Sequence, residues 1–436
     1  MSVKRRDHIL IPKNPDAPLP SLKIEEVGEC TIDNIYASPE PFVNGMTMKL
    51  SAVKNHGIER DSGEVELAGP MEKIFYNPET TKVAIVTCGG LCPGLNNVIR
   101  GLVLNLYNRY HVNNIFGLRW GYEGLVPELS EVQRLTPEIV SDIHQKGGSI
   151  LGTSRGAQSP EVMAQFLIDN NFNILFTLGG DGTLRGANAI NKELRRRKVP
   201  ITVVGIPKTI DNDICYTDST FGFQTAVGLS QEAINAVHSE AKSAKNGIGI
   251  VRLMGRDAGF IALYASLANG DANLVLIPEI DIPITQICEF VGKRIMSKGH
   301  VVIVVAEGAL QNQKPKDLDL GTDKSGNILH WDSINYLRDS ITKYLKSIGI
   351  EEHTIKFVDP SYMIRSAPCS AADAHFCMCL ANAAVHVAMA GKTGLVICHH
   401  HNNFVSVPID RTSYYIKRVN TDGPLYTMMT AIEKPK

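Results

Sequence analysis

Two stretches of the 436-residue sequence carry side chains that could do chemistry. In VVGIPKTIDNDI, residues 203 to 214, an apolar run breaks at Pro207, and Lys208, Thr209, Ile210, Asp211 and Asp213 follow at once. About twenty-five residues earlier stands LGGDGTLRGA, in which glycines flank the single acid Asp181. Phosphoryl transfer needs positioning, charge neutralisation and a group that takes the acceptor's proton. Asp211 can be that base. Asp213 can orient it or help with a metal, while Thr209 and Lys208 can hold the migrating phosphoryl group. Acids at i and i+2 of an extended segment point the same way, so both are expected to face one cleft. The plainer reading, an Asx turn, leaves the nearby GGDGT unexplained. In that motif Gly180 and Gly182 let the backbone approach a ligand closely. Asp181 is placed to hold Mg²⁺, which takes one or two carboxylates plus phosphate oxygens. Thr183 closes the motif, and Gly186 is expected to clear one more side chain from the same surface. The plainer reading here is a Gly-rich turn with a capping Thr.

Further groups recur at the ends of apolar runs. In CGGLCPGLNN, Gly89, Gly90 and Gly94 lie between a strand and a helix, which brings backbone N–H groups to an anion; the spacing is not G-x-G-x-x-G. GTSRG places Arg155 and Gly156 in a glycine-bounded loop. LMGRDAGF offers Met254, Gly255 and Arg256, VAEGA offers Glu307, and DPSYMIR offers Tyr362, Met363, Ile364 and Arg365. Guanidinium groups for phosphate and a carboxylate for hydroxyls suit an anionic sugar. Two lookalikes fail. AGKTG lacks the upstream glycine and strand that a P-loop needs. The histidines of CHHHNN, His399 to His401, alternate faces on a strand and cannot converge on a metal.

These residues need a scaffold that gathers strand ends. KVAIVTCGG, NNIFGLRWG, NNFNILFTLGG and PITVVGIP read as strands alternating with helical stretches at Leu95 to Tyr110 and Leu184 to Arg197. GIGIVRLMG, NLVLIP, HVVIVVAEG and TIKFVDP resume the pattern, with a helix at Thr285 to Lys298 and a long Ala-rich helix within residues 370–391. The alternation predicts an α/β chain of two doubly wound, Rossmann-like lobes with parallel sheets and a ligand cleft at their carboxyl ends. Residues 1–80 read as an irregular extension, 81–217 as the donor lobe, 218–370 as the acceptor lobe, and 371–436 as a segment returning to the lobes and completing the donor lobe.

Composition excludes several classes. With 44 basic and 45 acidic residues the net charge is -1, which argues against nucleic acid or an anionic membrane as partner. RRRK at Arg195 to Lys198 fits the end of a helix. The nine scattered cysteines form no disulfide or zinc pattern. With no apolar span or leader-like run, a cytoplasmic protein is expected.

Taken in order, GGLCPGLNNVIRG, GTSRG, GGDGT, PKTIDND, MGRDAGF, EGA and SYMIR resemble the phosphofructokinase family, from about Lys82 to Arg365 and beyond. The resemblance implies transfer of phosphoryl from ATP, or from pyrophosphate in one branch, to the 1-hydroxyl of fructose 6-phosphate, usually in a tetramer. It puts the donor on Gly90, Arg155, Gly156 and Gly180 to Thr183, Mg²⁺ on Asp181, and the base at Asp211. The sugar phosphate falls to Thr209, Ile210, Met254 to Arg256, Glu307 and Tyr362 to Arg365. PKTIDND and the long amino-terminal region resemble the longer ATP-dependent enzymes of protists and plants. Compact bacterial members carry Gly where Lys208 stands and His where Tyr362 stands. Where they use an Arg from a neighbouring subunit, this chain has Gly247, and Lys356 is the candidate for that cation. Lys208 accompanies pyrophosphate use in the family, whereas Gly182 leaves room for a nucleotide where the pyrophosphate branch has a second Asp. ATP is therefore the expected donor. A nucleotide sensor without catalysis, or another small-molecule kinase with GGDGT, are the rivals.

Overall fold

The computed structural model describes residues 4–5, 10–14, 17–36, 40–49, 63–315, 318, 320–322 and 329–433. The extension expected over 1–80 thus falls partly outside the described residues.

The large sheet has nine strands among the described residues. Its parallel centre runs Asn114–Leu118, Lys82–Thr87, Ile174–Gly179, Thr202–Pro207 and Leu395–His400. The strands Ile174–Gly179 and Thr202–Pro207 are buried throughout, as expected when helices cover both faces. Antiparallel strands finish the edges. Val132–Arg134 lies on one side; Asn403–Pro408, Glu64–Leu67 and Thr47–Lys49 lie on the other. The chain order reverses between Lys82–Thr87 and Ile174–Gly179. Such a switch point opens a crevice at the carboxyl ends of its strands, and the two glycine loops follow those two strands.

The small sheet is parallel in the order Leu274–Leu276, His300–Ala306, Gly247–Leu253 and Thr354–Val358. Its last three strands lead into Met254–Arg256, Glu307 and Tyr362–Arg365. The two doubly wound lobes are those that the alternating pattern predicts.

Small residues set the helix packing. The Ala-rich helix Ala371–Met389 lies against Leu95–Leu104, where a Cβ on Gly101 would stand 2.7 Å from that of Ala381. Gly94, at φ 103°, starts the second of these helices; a Cβ there would meet Cys377 Sγ at 2.8 Å and Phe221 at 2.9 Å. The helix Asp181–Arg196 ends in the basic run: Arg196 and Arg197 hold Glu193, and Arg195 donates to the carbonyls of Val199 and Ile201. The run is a helix end.

The described amino-terminal segments pair within the one chain. Leu10–Pro12 lies antiparallel to Tyr415–Lys417, Glu25–Glu26 to Lys392–Thr393, and Ile32–Asp33 to Lys73–Ile74. All nine cysteines are free thiols. Among the described residues no helix is long and apolar enough to cross a membrane.

Candidate active site

The glycine-loop side of the candidate site is built from backbone. Cys88 N–H donates to the carbonyl of Leu178 at 2.9 Å, and Gly89 N–H to that of Ser154 at 3.0 Å. These bonds bring the Arg155 loop over the first glycines: a Cβ on Gly90 would lie 3.6 Å from an Arg155 guanidinium nitrogen. Gly156, at φ 132°, has open space beside it. Gly180 precedes the helix that begins at Asp181, so Asp181, Gly182 and Thr183 form its first turn. The leading N–H groups of a helix have no partner within it, and they favour an anion. The motif is a helix start instead of a free loop, and Thr183 is buried against Gly179. Gly182 is open, with an Arg185 nitrogen 3.8 Å from its Cβ position.

Gly186 departs from expectation. A Cβ there would strike the Tyr122 ring at 2.5 Å. That ring hydroxyl donates to the Thr183 carbonyl, so Gly186 lets the helix pack on Tyr122.

Lys208 is buried; its Nζ donates to the Gly90 carbonyl at 2.7 Å, and its own N–H to that of Gly179 at 2.9 Å. Burial holds its pKa below the ordinary lysine range. Thr209 Oγ1 donates to Asp213 Oδ1 at 2.7 Å and accepts from Asp211 N–H at 3.2 Å. The segment is not extended. Asn212 takes φ 56°, so a turn, not strand alternation, brings the two carboxylates near each other.

Asp211 reaches across the cleft. Its Oδ2 accepts the N–H of Arg256 at 3.3 Å, and its Oδ1 is buried without a partner in the structure. Burial, then the charge of Asp213, pushes the Asp211 carboxyl up to about 7; the Arg256 bond and the Arg365 charge oppose this. Asp213 is also raised, chiefly by burial.

Residues of the second lobe meet Asp211 from the other side. Glu307 N–H donates to the Leu253 carbonyl and Gly308 N–H to that of Gly255, both at 2.9 Å. Glu307 pairs with Arg365 at 3.7 Å. His330, beside Arg256 and Glu307, adds a ring lowered by burial. The structure brings Asp211, Arg256, Glu307 and Arg365 together. Ile210, Met254 and Ile364 have buried side chains, so only their backbone is available to a ligand; their apolar side chains anchor the loops. Tyr362 and Met363 are exposed, at 85% and 74%. Lys356 stands apart, mid-strand, paired with Glu240 at 3.2 Å. A Cβ on Gly247 would stand 1.9 Å from the Ala241 carbonyl.

Asp181 has an unexpected pair of partners. Arg185 bonds one oxygen and Lys13 Nζ lies 2.5 Å from the other. Arg185 was legible as the i+4 cation on the same helix; Lys13, 168 positions away, leaves no local signal. Among the described residues no three His, Cys, Asp or Glu side chains converge to hold a metal. A single carboxylate at a phosphate-favouring helix start suits an ion bound mainly through phosphate oxygens, as Mg²⁺ is.

The phosphofructokinase family model matches residues 82–388. The ATP-dependent 6-phosphofructokinase of Borreliella burgdorferi is 43% identical over 426 residues, covering 93% of this chain and 94% of its own. That of Trypanosoma brucei brucei is 45% identical over 84% of this chain and 76% of its own. ATP-dependent 6-phosphofructokinase 2 of Arabidopsis thaliana is 43% identical over 81% of each chain. Among solved structures, the pyrophosphate-dependent phosphofructokinase of Marinobacter aquaeolei shares the fold with a TM-score of 0.66 and 21% identity, over 78% of this chain and 86% of that one.

Proposed function

The chain belongs to the phosphofructokinase family, and from that premise we propose how its residues perform the reaction: transfer of the γ-phosphoryl group of ATP to the 1-hydroxyl of fructose 6-phosphate, giving fructose 1,6-bisphosphate and ADP. The observation that carries the reading is the position of Asp211, a partly desolvated carboxyl held by the amide of Arg256 between the glycine loops and the Glu307–Arg365 pair.

A base is useful when its pKa lies near the working pH, and a carboxyl at about 7 meets that condition. Asp211 takes the proton of the 1-hydroxyl as the oxygen bonds to the γ-phosphorus and the bond to the ADP oxygen breaks. Asp213, fixed by Thr209, keeps a second negative charge nearby and so keeps Asp211 basic. Gly90, Arg155, Gly156 and Gly180 to Thr183 cradle the donor. Arg256 and Lys208 neutralise charge as it moves. Arg365 takes the sugar phosphate, and Glu307 takes sugar hydroxyls. Asp181 would hold Mg²⁺, which when bound neutralises the donor phosphates.

Gly182 supports ATP as the donor. The backbone there is open, so a nucleotide can leave the phosphate loop without meeting a second carboxylate. Within the assignment we include a homo-oligomer, in family fashion a tetramer, and a cytosolic setting suited to nine free thiols. Steady-state kcat/KM with fructose 6-phosphate, measured for MgATP and for Mg-pyrophosphate, tests the reading. MgATP is expected to win clearly. No turnover with either donor would return the chain to a sensor role.

A further inference from the structure

Four cations stand at the glycine edge of the donor side. Arg155 lies over Gly90, Lys208 is bonded to the Gly90 carbonyl, Arg185 lies by Gly182, and Lys13 meets Asp181. Asp181 is the carboxylate bonded to two of them, and Asp213 and Asp257 are further acidic neighbours of Lys13. A cluster of cations at a glycine-rich helix start suits a polyanion.

Lys13 is delivered deliberately. Its N–H donates to the carbonyl of Tyr414 at 2.9 Å. Just before it, Leu10–Pro12 pairs with Tyr415–Lys417. Just after it, the carbonyl of Ala17 accepts the Tyr414 hydroxyl at 2.7 Å, and that of Pro20 accepts from Arg411. Lys417 N–H in turn donates to the carbonyl of Asp213 at 3.3 Å. The amino-terminal strap is therefore fixed on both sides of Lys13 to a segment that is itself fixed to the loop of the base. Asp213, Asp257 and Arg185 are charged neighbours of its ammonium. A pair as exposed as Lys13–Asp181 adds little to folding, so stability alone does not account for so many ties.

We propose that Lys13 is a donor-site residue whose ammonium binds the terminal phosphates of ATP. The inference rests on the donor assignment above. Were Asp181 to hold the metal that accompanies the phosphates, the ammonium would lose its carboxylate while the strap kept it by the loop, where phosphate oxygens would join Asp213 and Asp257 as its anionic neighbours. Specificity follows too: a group aimed at the terminal phosphates senses ATP more strongly than ADP.

The test compares the unmodified protein with Lys13→Met and Lys13→Arg by titration calorimetry of MgATP, MgADP and fructose 6-phosphate, with thermal melts to confirm folding. Lys13→Met should raise the Kd for MgATP roughly ten- to a hundredfold, the range of a charge-assisted hydrogen bond. The effect on MgADP should be smaller, the Kd for fructose 6-phosphate should stay within about twofold, and Lys13→Arg should recover most of the loss. Equal MgATP binding by a folded Lys13→Met protein overturns the inference alone, and tighter binding does so by making the lysine a plug. If the unmodified protein binds no MgATP, the donor assignment falls and this inference falls with it.

Discussion

Replacing Asp211 with Asn should slow the enzyme and steady the fold in one step. The amide is nearly the same size, so the turn around Asn212 and the approach of Arg256 have no steric reason to change. A positioned base contributes roughly 10²–10⁴ to the rate, and kcat should fall by that factor while KM for both substrates moves little. Stability should go the other way. The carboxyl titrates at about 7 in the folded chain, against 3.8 when exposed. The folded chain therefore holds an extra proton between those values, and the wild type loses stability as pH rises through that window. Asn carries no such penalty. Three units at about 1.4 kcal/mol each bound the gain at about 4 kcal/mol; partial exposure to the cleft reduces it to about 1–2 kcal/mol. Calorimetric melts at pH 8.5 should place Asp211→Asn above the wild type by roughly 1–4 °C, with the difference vanishing near pH 4. A variant that keeps kcat within tenfold removes the base assignment. One that gains nothing at pH 8.5 shows that Asp211 is not desolvated as the structure has it.

Arg365→Ala should raise KM for fructose 6-phosphate at least tenfold with little change for MgATP, read from initial rates in each substrate; equal effects on both would break the division into donor and acceptor sides. Gly182→Asp should cost kcat/KM for MgATP far more than for Mg-pyrophosphate, since it adds a carboxylate in the first turn beside Asp181; a symmetrical loss in the same assay would mean that Gly182 does not discriminate donors. The pH profile of kcat/KM should fall on the acid side with an apparent pKa near 7, and a flat profile down to pH 5 would exclude Asp211 as its source. Gly94→Ala should lower unfolding free energy by about 2–4 kcal/mol in urea, because its left-handed φ and its contacts with Cys377 and Phe221 leave no room for a methyl; an unchanged midpoint refutes that packing.

Most of the site was legible because it sits at strand ends. Apolar runs fix the strands, a parallel sheet gathers their carboxyl ends, and Asp211, Arg256, Glu307 and Arg365 each follow such a run within a few residues. Side-chain direction was harder to read. Extended geometry gives Asp211 and Asp213 a common face, yet Asn212 in the left-handed region makes the same neighbourhood by a turn. Gly186 has the composition of a ligand loop, but its missing side chain makes room for Tyr122, a contact set by tertiary packing. Ile364 lies within a motif of exposed neighbours and is itself in the core. Lys13 shows the limit of local pattern: what places it is a short antiparallel pairing with Tyr415–Lys417, and strands of three residues carry almost no periodicity.

The bond from the Arg256 amide to Asp211 joins the two lobes, for the carboxylate follows a strand of the large sheet and the amide a strand of the small one. At 3.3 Å it is already long for an N–H···O bond, so a parting of the lobes by about an ångström abolishes it. That bond is one of the influences that lower the carboxyl's pKa. Parting the lobes also admits water to the carboxyl, and burial is the largest influence raising its pKa, so an open cleft returns Asp211 toward the ordinary carboxylate range. An open enzyme then presents a weakly basic carboxylate, and only the apposed lobes present a base poised near neutrality. Proton affinity thus rises as the lobes close, and ATP in a gaping cleft meets only a weak base to activate a stray water.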